Sequence, residues 1–105
     1  MFLAKVIGQV VSTKKEEALV GSRLVMLRPL LADPKNPSKF LEGGNTIVAV
    51  DTLGAGVGEV ILFAQGSSAR QVTGLKSMPI DASVIGIVDS VQVLGEKAYN
   101  SGDKS

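Results

Sequence analysis

The feature that most constrains this chain is the brevity of its apolar runs. Each of them is closed within about ten residues by a glycine, a proline or a polar cluster, and none carries the spacing of a long amphipathic helix. Residues 2–11 alternate, with Lys5 and Gln9 on one parity and Phe2, Ala4, Val6 and Val10 on the other, the signature of a half-buried strand. Residues 24–27 form a second apolar run that Pro29 is expected to limit. Residues 47–50 and 60–63 are two more, without clean alternation, as if both of their faces were covered. Residues 84–93 read as a fifth strand with Asp89 and Gln92 as its polar interruptions. Between them lie a polar connection over 12–17 and a turn-rich loop over 32–45. Ser67 or Ser68 is placed to cap one or two helical turns through Arg70, Gln71 and Val72 before Gly74 ends them. Five short strands and one short helix predict an all-β fold, a small five-stranded antiparallel OB-like Greek-key barrel. It fills residues 1–94 and leaves a polar tail over 95–105, expected to fray unless a neighbour holds it.

Composition supports one domain and excludes much chemistry. With 105 residues there is room for a single core. Aromatic residues number four, Phe2, Phe40, Phe63 and Tyr99, against twelve glycines, so the core must be built from Val, Ile and Leu on pleated strands. A mean hydropathy of +0.29 is apolar for a small soluble monomer, which predicts an interface with another copy or a partner. No apolar run approaches the roughly 18 residues of a membrane span. No secretory cleavage pattern follows residues 1–11, and the only Asn-x-Ser/Thr triplet, at Asn36, is blocked by Pro37, so a cytosolic location is expected. There is no His and no Cys, which removes the usual nucleophile and base pairs, zinc sites, thiol chemistry and disulfides. We expect no enzymatic activity, no metal and no cofactor. A formal charge of +1 gives no broad footprint for nucleic acid or an anionic membrane.

Three local patterns invite a functional reading. Gly54, Gly56 and Gly58 resemble a phosphate-cradling loop, but a dinucleotide fingerprint needs glycine where this chain has Glu59, and needs a helix rather than a strand to follow. The bland reading is a tight corner between strands. Gly66, Ser67, Ser68, Ala69 and Arg70 could be mistaken for a nucleophile turn, yet no histidine serves as base. Arg70 reads either as a solvated surface residue or as a planar fork pairing with Glu59 or Asp51 across an interface. Asp51 and Asp81 are expected to close turns through side-chain-to-backbone hydrogen bonds. Phe2 and Phe63 are expected to pack in the core; Phe63 alone could stack a base, whereas nucleic-acid grooves combine several aromatics with a basic track.

Three blocks taken in order carry a family resemblance: residues 3–14 (LAKVIGQVVSTK), residues 48–59 (VAVDTLGAGVGE) with residues 66–71 (GSSARQ), and residues 79–89 (PIDASVIGIVD). Together they closely resemble the bacterial microcompartment vertex proteins, the EutN/CcmL/PduN family of shell pentamers, over residues 1–94. The resemblance implies a small β-barrel subunit assembled as a five-fold ring that caps the vertices of a polyhedral protein shell in the bacterial cytoplasm. It implies a homopentamer with hexameric and trimeric shell proteins as partners, and neither nucleic acid nor membrane. It places Asp51, Gly54, Gly56, Gly58, Glu59, Gly66, Ser67, Ser68, Ala69 and Arg70 at the subunit interface or ring centre. The glycine-rich and Gly-Ser-Ser-Ala-Arg blocks look more like metabolosome members than carboxysome ones. Two alternatives remain beside it: an OB-type single-stranded nucleic-acid-binding module, and a small-molecule conduit at the ring centre in addition to capping.

Overall fold

The computed structural model describes residues 1–11, 23–66 and 82–102. Eight strands lie within them: β1 (Phe2–Val10), β2 (Arg23–Ala32), β3 (Phe40–Glu42), β4 (Ile47–Asp51), β5 (Val60–Gln65), β6 (Ala82–Ile87), β7 (Ser90–Val93) and β8 (Glu96–Asn100). The first sheet runs β1-β5-β6-β4-β2, and β1 also pairs with β2, so five strands close into a barrel. Antiparallel ladders join every neighbouring pair except β4 and β6, which meet in parallel at Val50 and Ser83. The expected barrel is therefore present with one parallel junction, and parity requires it: directions cannot alternate all the way round a ring with an odd number of strands.

The core follows the two-residue period of the strands. Ala4 and Val6 of β1, Val25 and Leu27 of β2, Ala49 of β4, Ile61 and Phe63 of β5 and Ala82 and Val84 of β6 all point inward and are buried. Phe63 is the largest of them, and the alanines on neighbouring strands leave the space that its ring occupies. Phe2 lies half exposed at the barrel's end with its ring 5.4 Å from that of Phe63, centroid to centroid.

Four details depart from the expectations of the sequence. Pro29 does not limit β2, which continues to Ala32. The β4 ladder on that edge ends at Leu27, and Pro29 lies opposite Gly43 at the end of the β3 ladder, where its carbonyl accepts from Gly43 N–H at 2.8 Å while Arg28 Nη1 donates to the Gly43 carbonyl at 3.3 Å in place of the N–H that proline lacks. Within the loop over 32–45, residues 40–42 form β3 on the edge of β2. Residues 84–93 are two strands, β6 and β7, broken at Val88 and Asp89. The polar segment expected to fray is paired through Asn100, with β7 and β8 making a two-stranded sheet of their own. The described residues include no helix; the short helix expected through Arg70, Gln71 and Val72 lies outside them, as does the connection over 12–17.

The strict alternation expected of β1 also fails at one point. The register passes from Val6 opposite Leu27 to Gly8 opposite Met26, which makes Ile7 an extra, bulged residue. Parity reverses there, so Gln9 pairs with the inward-facing Val25 instead of pointing away from the barrel.

Candidate functional site

The bulge brings Gln9 to the end of the barrel where β2 begins and β4 ends. Arg23 and Asp51 are direct partners across β2 and β4, so all three side chains converge on the barrel's mouth. Arg23 Nη1 donates to Asp51 Oδ2 at 2.9 Å. Gln9, with its amide turned so that the oxygen faces the guanidinium, accepts from Arg23 Nε at 3.1 Å and Nη2 at 3.0 Å. The arginine fork is thus divided between a neutral amide and a carboxylate.

Asp51 is 3% exposed and organises the corner that follows it. Its Oδ1 accepts from the N–H of Leu53 at 2.8 Å and of Gly54 at 3.2 Å, and its Oδ2 from the N–H of Ala55 at 2.8 Å. With Arg23 these donors match the roughly four lone-pair sites of a carboxylate, so burial of the charge is compensated. Asp51 closes the turn as expected. Ala55, fully buried, plugs the core at this end. Gly54 has φ of +81°, a left-handed conformation that L side chains avoid.

The second half of the corner is built on Glu59. Its Oε1 accepts from Gly56 N–H, and its own N–H donates to Gly56 O at 3.1 Å, which draws Gly56, Val57 and Gly58 into a tight turn. Gly58, with φ of +92°, donates to Val6 O at 2.8 Å, and Val6 N–H donates to Glu59 O at 2.9 Å. These two bonds extend the β1–β5 ladder and hold the corner against the barrel wall. The glycine-rich segment is a structural corner, with a carboxylate occupying the N–H group that an anion would need.

The ten residues expected at an interface or ring centre divide accordingly. Asp51, Gly54, Gly56, Gly58 and Glu59 form one corner; Gly66, with φ of +66°, ends β5. Ser67, Ser68, Ala69 and Arg70 lie outside the described residues, as does Asp81. The carboxylates offered as partners for Arg70 have partners within the subunit: Asp51 with Arg23 of β2 and three N–H groups of its own turn, Glu59 with Gly56. The corner turns two large apolar side chains outward, Leu53 at 48% and Val57 at 66% exposure, beside the exposed Thr52. Sequence reasoning missed Gln9 and Arg23, although Gly8 within a strand was the sign of a bulge that would have redirected Gln9.

Other surfaces match the surplus of apolar residues. Leu31 and Leu41 are opposed on β2 and β3, and both are exposed; Val48 stands beside Met26 on the barrel wall. Among the described residues no group of three acidic, His or Cys side chains is placed to hold a metal, and no helix is long and apolar enough to cross a membrane. Phe63 is buried and has no face to offer a base.

A closed five-stranded barrel of this connectivity, with a polar lock at one mouth and apolar residues turned outward, defines a small β-barrel module. Comparison with known proteins gives its family. Residues 1–89 match the family described as ethanolamine utilisation protein EutN/carboxysome, and the chain belongs to this EutN/CcmL family. It is 48% identical over 94 residues to the bacterial microcompartment shell vertex protein GrpN of Rhodospirillum rubrum, covering 90% of this chain and 99% of that one. To the carboxysome shell vertex protein CcmL of Gloeobacter violaceus it is 40% identical over 104 residues, 99% of this chain and 98% of the other. The solved structure of that CcmL superposes with a TM-score of 0.83 over 98% of this chain and 100% of its own. The structure of GrpN, described as a pentameric microcompartment shell protein, superposes with a TM-score of 0.73 at 47% identity, over 89% of this chain and 100% of its own.

Proposed function

We propose that this chain is a structural shell subunit whose five copies close into a ring capping a vertex of a bacterial microcompartment in the cytoplasm. One observation carries the reading: 89% of this chain superposes, at 47% identity, on a protein solved as a pentameric shell subunit. The geometry gives the reading a physical sense. A flat sheet of hexagonal tiles does not close, and pentagonal tiles supply the missing curvature. A five-fold ring joins two different patches of each subunit around a closed rotation, which accounts for exposed apolar residues on several sides of one small barrel.

In this reading the partners beyond the ring are the hexameric and trimeric tiles of the shell, and the chain is not an enzyme. The corner over 51–60 serves subunit packing or the ring's central surface, with Leu53 and Val57 as its contact side chains and Asp51 and Glu59 as the groups that hold its shape. Arg70 contributes to the same assembly. The shell in this reading is that of a metabolosome, supported by 48% identity to GrpN and 46% to PduN against 40% and 42% to two carboxysome CcmL proteins, with the microcompartment protein EutN between these at 41%.

Native mass spectrometry of the untagged protein over a dilution series, with light scattering beside it, tests the reading. A five-subunit mass is expected. A monomer at every concentration would overturn it. Arg70→Ala is expected to weaken the ring more than the subunit's fold, and an unchanged ring mass with a destabilised monomer would make Arg70 a local structural residue instead.

A further inference from the structure

The β7–β8 hairpin stands apart from the barrel sheet and contains the chain's one described non-glycine residue with positive φ. Val93 pairs with Glu96, leaving Leu94 and Gly95 as a two-residue loop with φ of 51° and 81°. Those angles are the hallmark of a type I′ turn, whose first position favours Asn, Asp or Gly because they tolerate the left-handed region. Here it holds a leucine, a genuine outlier for a bulky side chain, and the side chain is 75% exposed. Both choices work against the free subunit: the backbone is strained and the apolar group gains no burial.

The hairpin around it is equally short of support. None of the residues in Ser90–Asn100 is buried, and a two-stranded hairpin alone is marginal in water. Its described ties to the barrel run through Val60, whose N–H donates to the Tyr99 hydroxyl at 3.4 Å and whose carbonyl accepts from Val88 N–H at 2.9 Å. Val91, Val93 and Ala98 remain partly exposed along it. Strain of this kind persists where another part of the assembly determines it.

From these observations we infer that Leu94 is an apolar knob on a projecting arm, seated on a second copy of this chain. The occupant follows from the pentameric reading, on which this inference rests: a ring needs two unlike patches on each subunit, and an arm tip is complementary to a wall rather than to another tip. The barrel offers apolar walls to receive it, at Val48 beside Met26 and at the Leu31–Leu41 pair. Burial in the ring gives the leucine what the isolated turn denies it.

Leu94→Asn separates the two roles because it suits the turn and removes the knob. Measured where rings are dissociated, the variant subunit is expected to unfold at the same temperature as the natural one or higher. Its ring is expected to require at least tenfold more protein for half assembly in native mass spectrometry. Leu94→Met, which keeps an apolar tip, is expected to stay within about threefold of the natural protein. A Leu94→Asn ring that assembles at the natural concentration overturns the inference while leaving the pentamer standing. A natural protein that never leaves the monomer overturns the pentamer and the inference with it. A variant subunit that unfolds at lower temperature, with a ring weakened only in proportion, also overturns it, since Leu94 would then support its own hairpin.

Discussion

Arg23 and Asp51 face each other across β2 and β4 and join their side chains at 2.9 Å, at the mouth where the barrel's interior would otherwise meet water. The pair is unequal. The Asp51 side chain is fully buried, whereas that of Arg23 keeps 31% of its surface exposed. Losing one partner therefore differs from losing the other.

Asp51→Ala leaves three backbone N–H groups and the Nη1 donor of Arg23 without their acceptor, at an expected cost of about 3 kcal/mol. Arg23→Ala leaves Asp51 with its three N–H donors, and the freed oxygen can reach water, for an expected cost of about 1 kcal/mol. Urea denaturation of the two variants checks the order. Equal losses would show that the corner does not depend on the carboxylate.

The glycines of the corner are expected to fall into two classes. Gly54 and Gly58 have φ of 81° and 92°, so alanine at either is expected to cost roughly 1–2 kcal/mol in backbone strain although nothing lies within 4 Å of the new methyl group. Gly56 has no such φ, and a methyl there meets only the Glu59 carboxylate, its nearest atom at 3.2 Å, so Gly56→Ala is expected to cost under about 1 kcal/mol. Gly56→Val is expected to disturb that carboxylate more strongly than the barrel. Thermal unfolding of the alanine set distinguishes a conformational requirement from a steric one.

Gly8 looks indispensable from its contacts, since a Cβ would lie 2.9 Å from the terminal methyl of Met26. That methyl ends a flexible side chain on the partly exposed wall, so it can swing aside. Gly8→Ala is expected to change stability by no more than about 0.5 kcal/mol, the strand's gain in propensity offsetting the displaced contact. A loss of several kcal/mol would mean that Met26 is fixed in place.

Phe63 is the largest side chain in a core otherwise rich in alanine and valine. Phe63→Ala is expected to cost about 3–5 kcal/mol, because alanines on the neighbouring strands cannot expand into the cavity. Small domains hold about 5–15 kcal/mol in total, so this variant is expected to lose most of its margin at 37 °C. Circular dichroism on heating reads the outcome directly, and Phe63→Leu is expected to retain more than half of the stability.

Much of this protein was legible in its residues. The two-residue alternation through Ala4 and Val6 placed β1 and its buried face, since a strand's side chains must alternate whatever else surrounds it. The turn-forming role of Asp51 was readable because an aspartate before a glycine-rich stretch reaches its own backbone. Ordered sequence blocks carried the family, because shared ancestry is written along the chain. Tertiary structure decided the rest, wherever a residue's meaning depended on something distant. Pro29 is tolerated at the end of the β3 ladder, where the Arg28 side chain donates to the Gly43 carbonyl that a backbone N–H would have met. Gln9 faces Arg23 only because a bulge at Ile7 reverses parity, and Arg23 became the partner of Asp51 only when β2 and β4 aligned across a separation of 28 residues. The Leu94-Gly95 turn is marked in sequence by glycine alone, without the usual Asn or Asp before it, so the hairpin was hidden by its own strain. Periodicity and turn chemistry are local and survive in one dimension, whereas register, closure and which carboxylate meets which arginine are set by contacts that exist only once the barrel has closed.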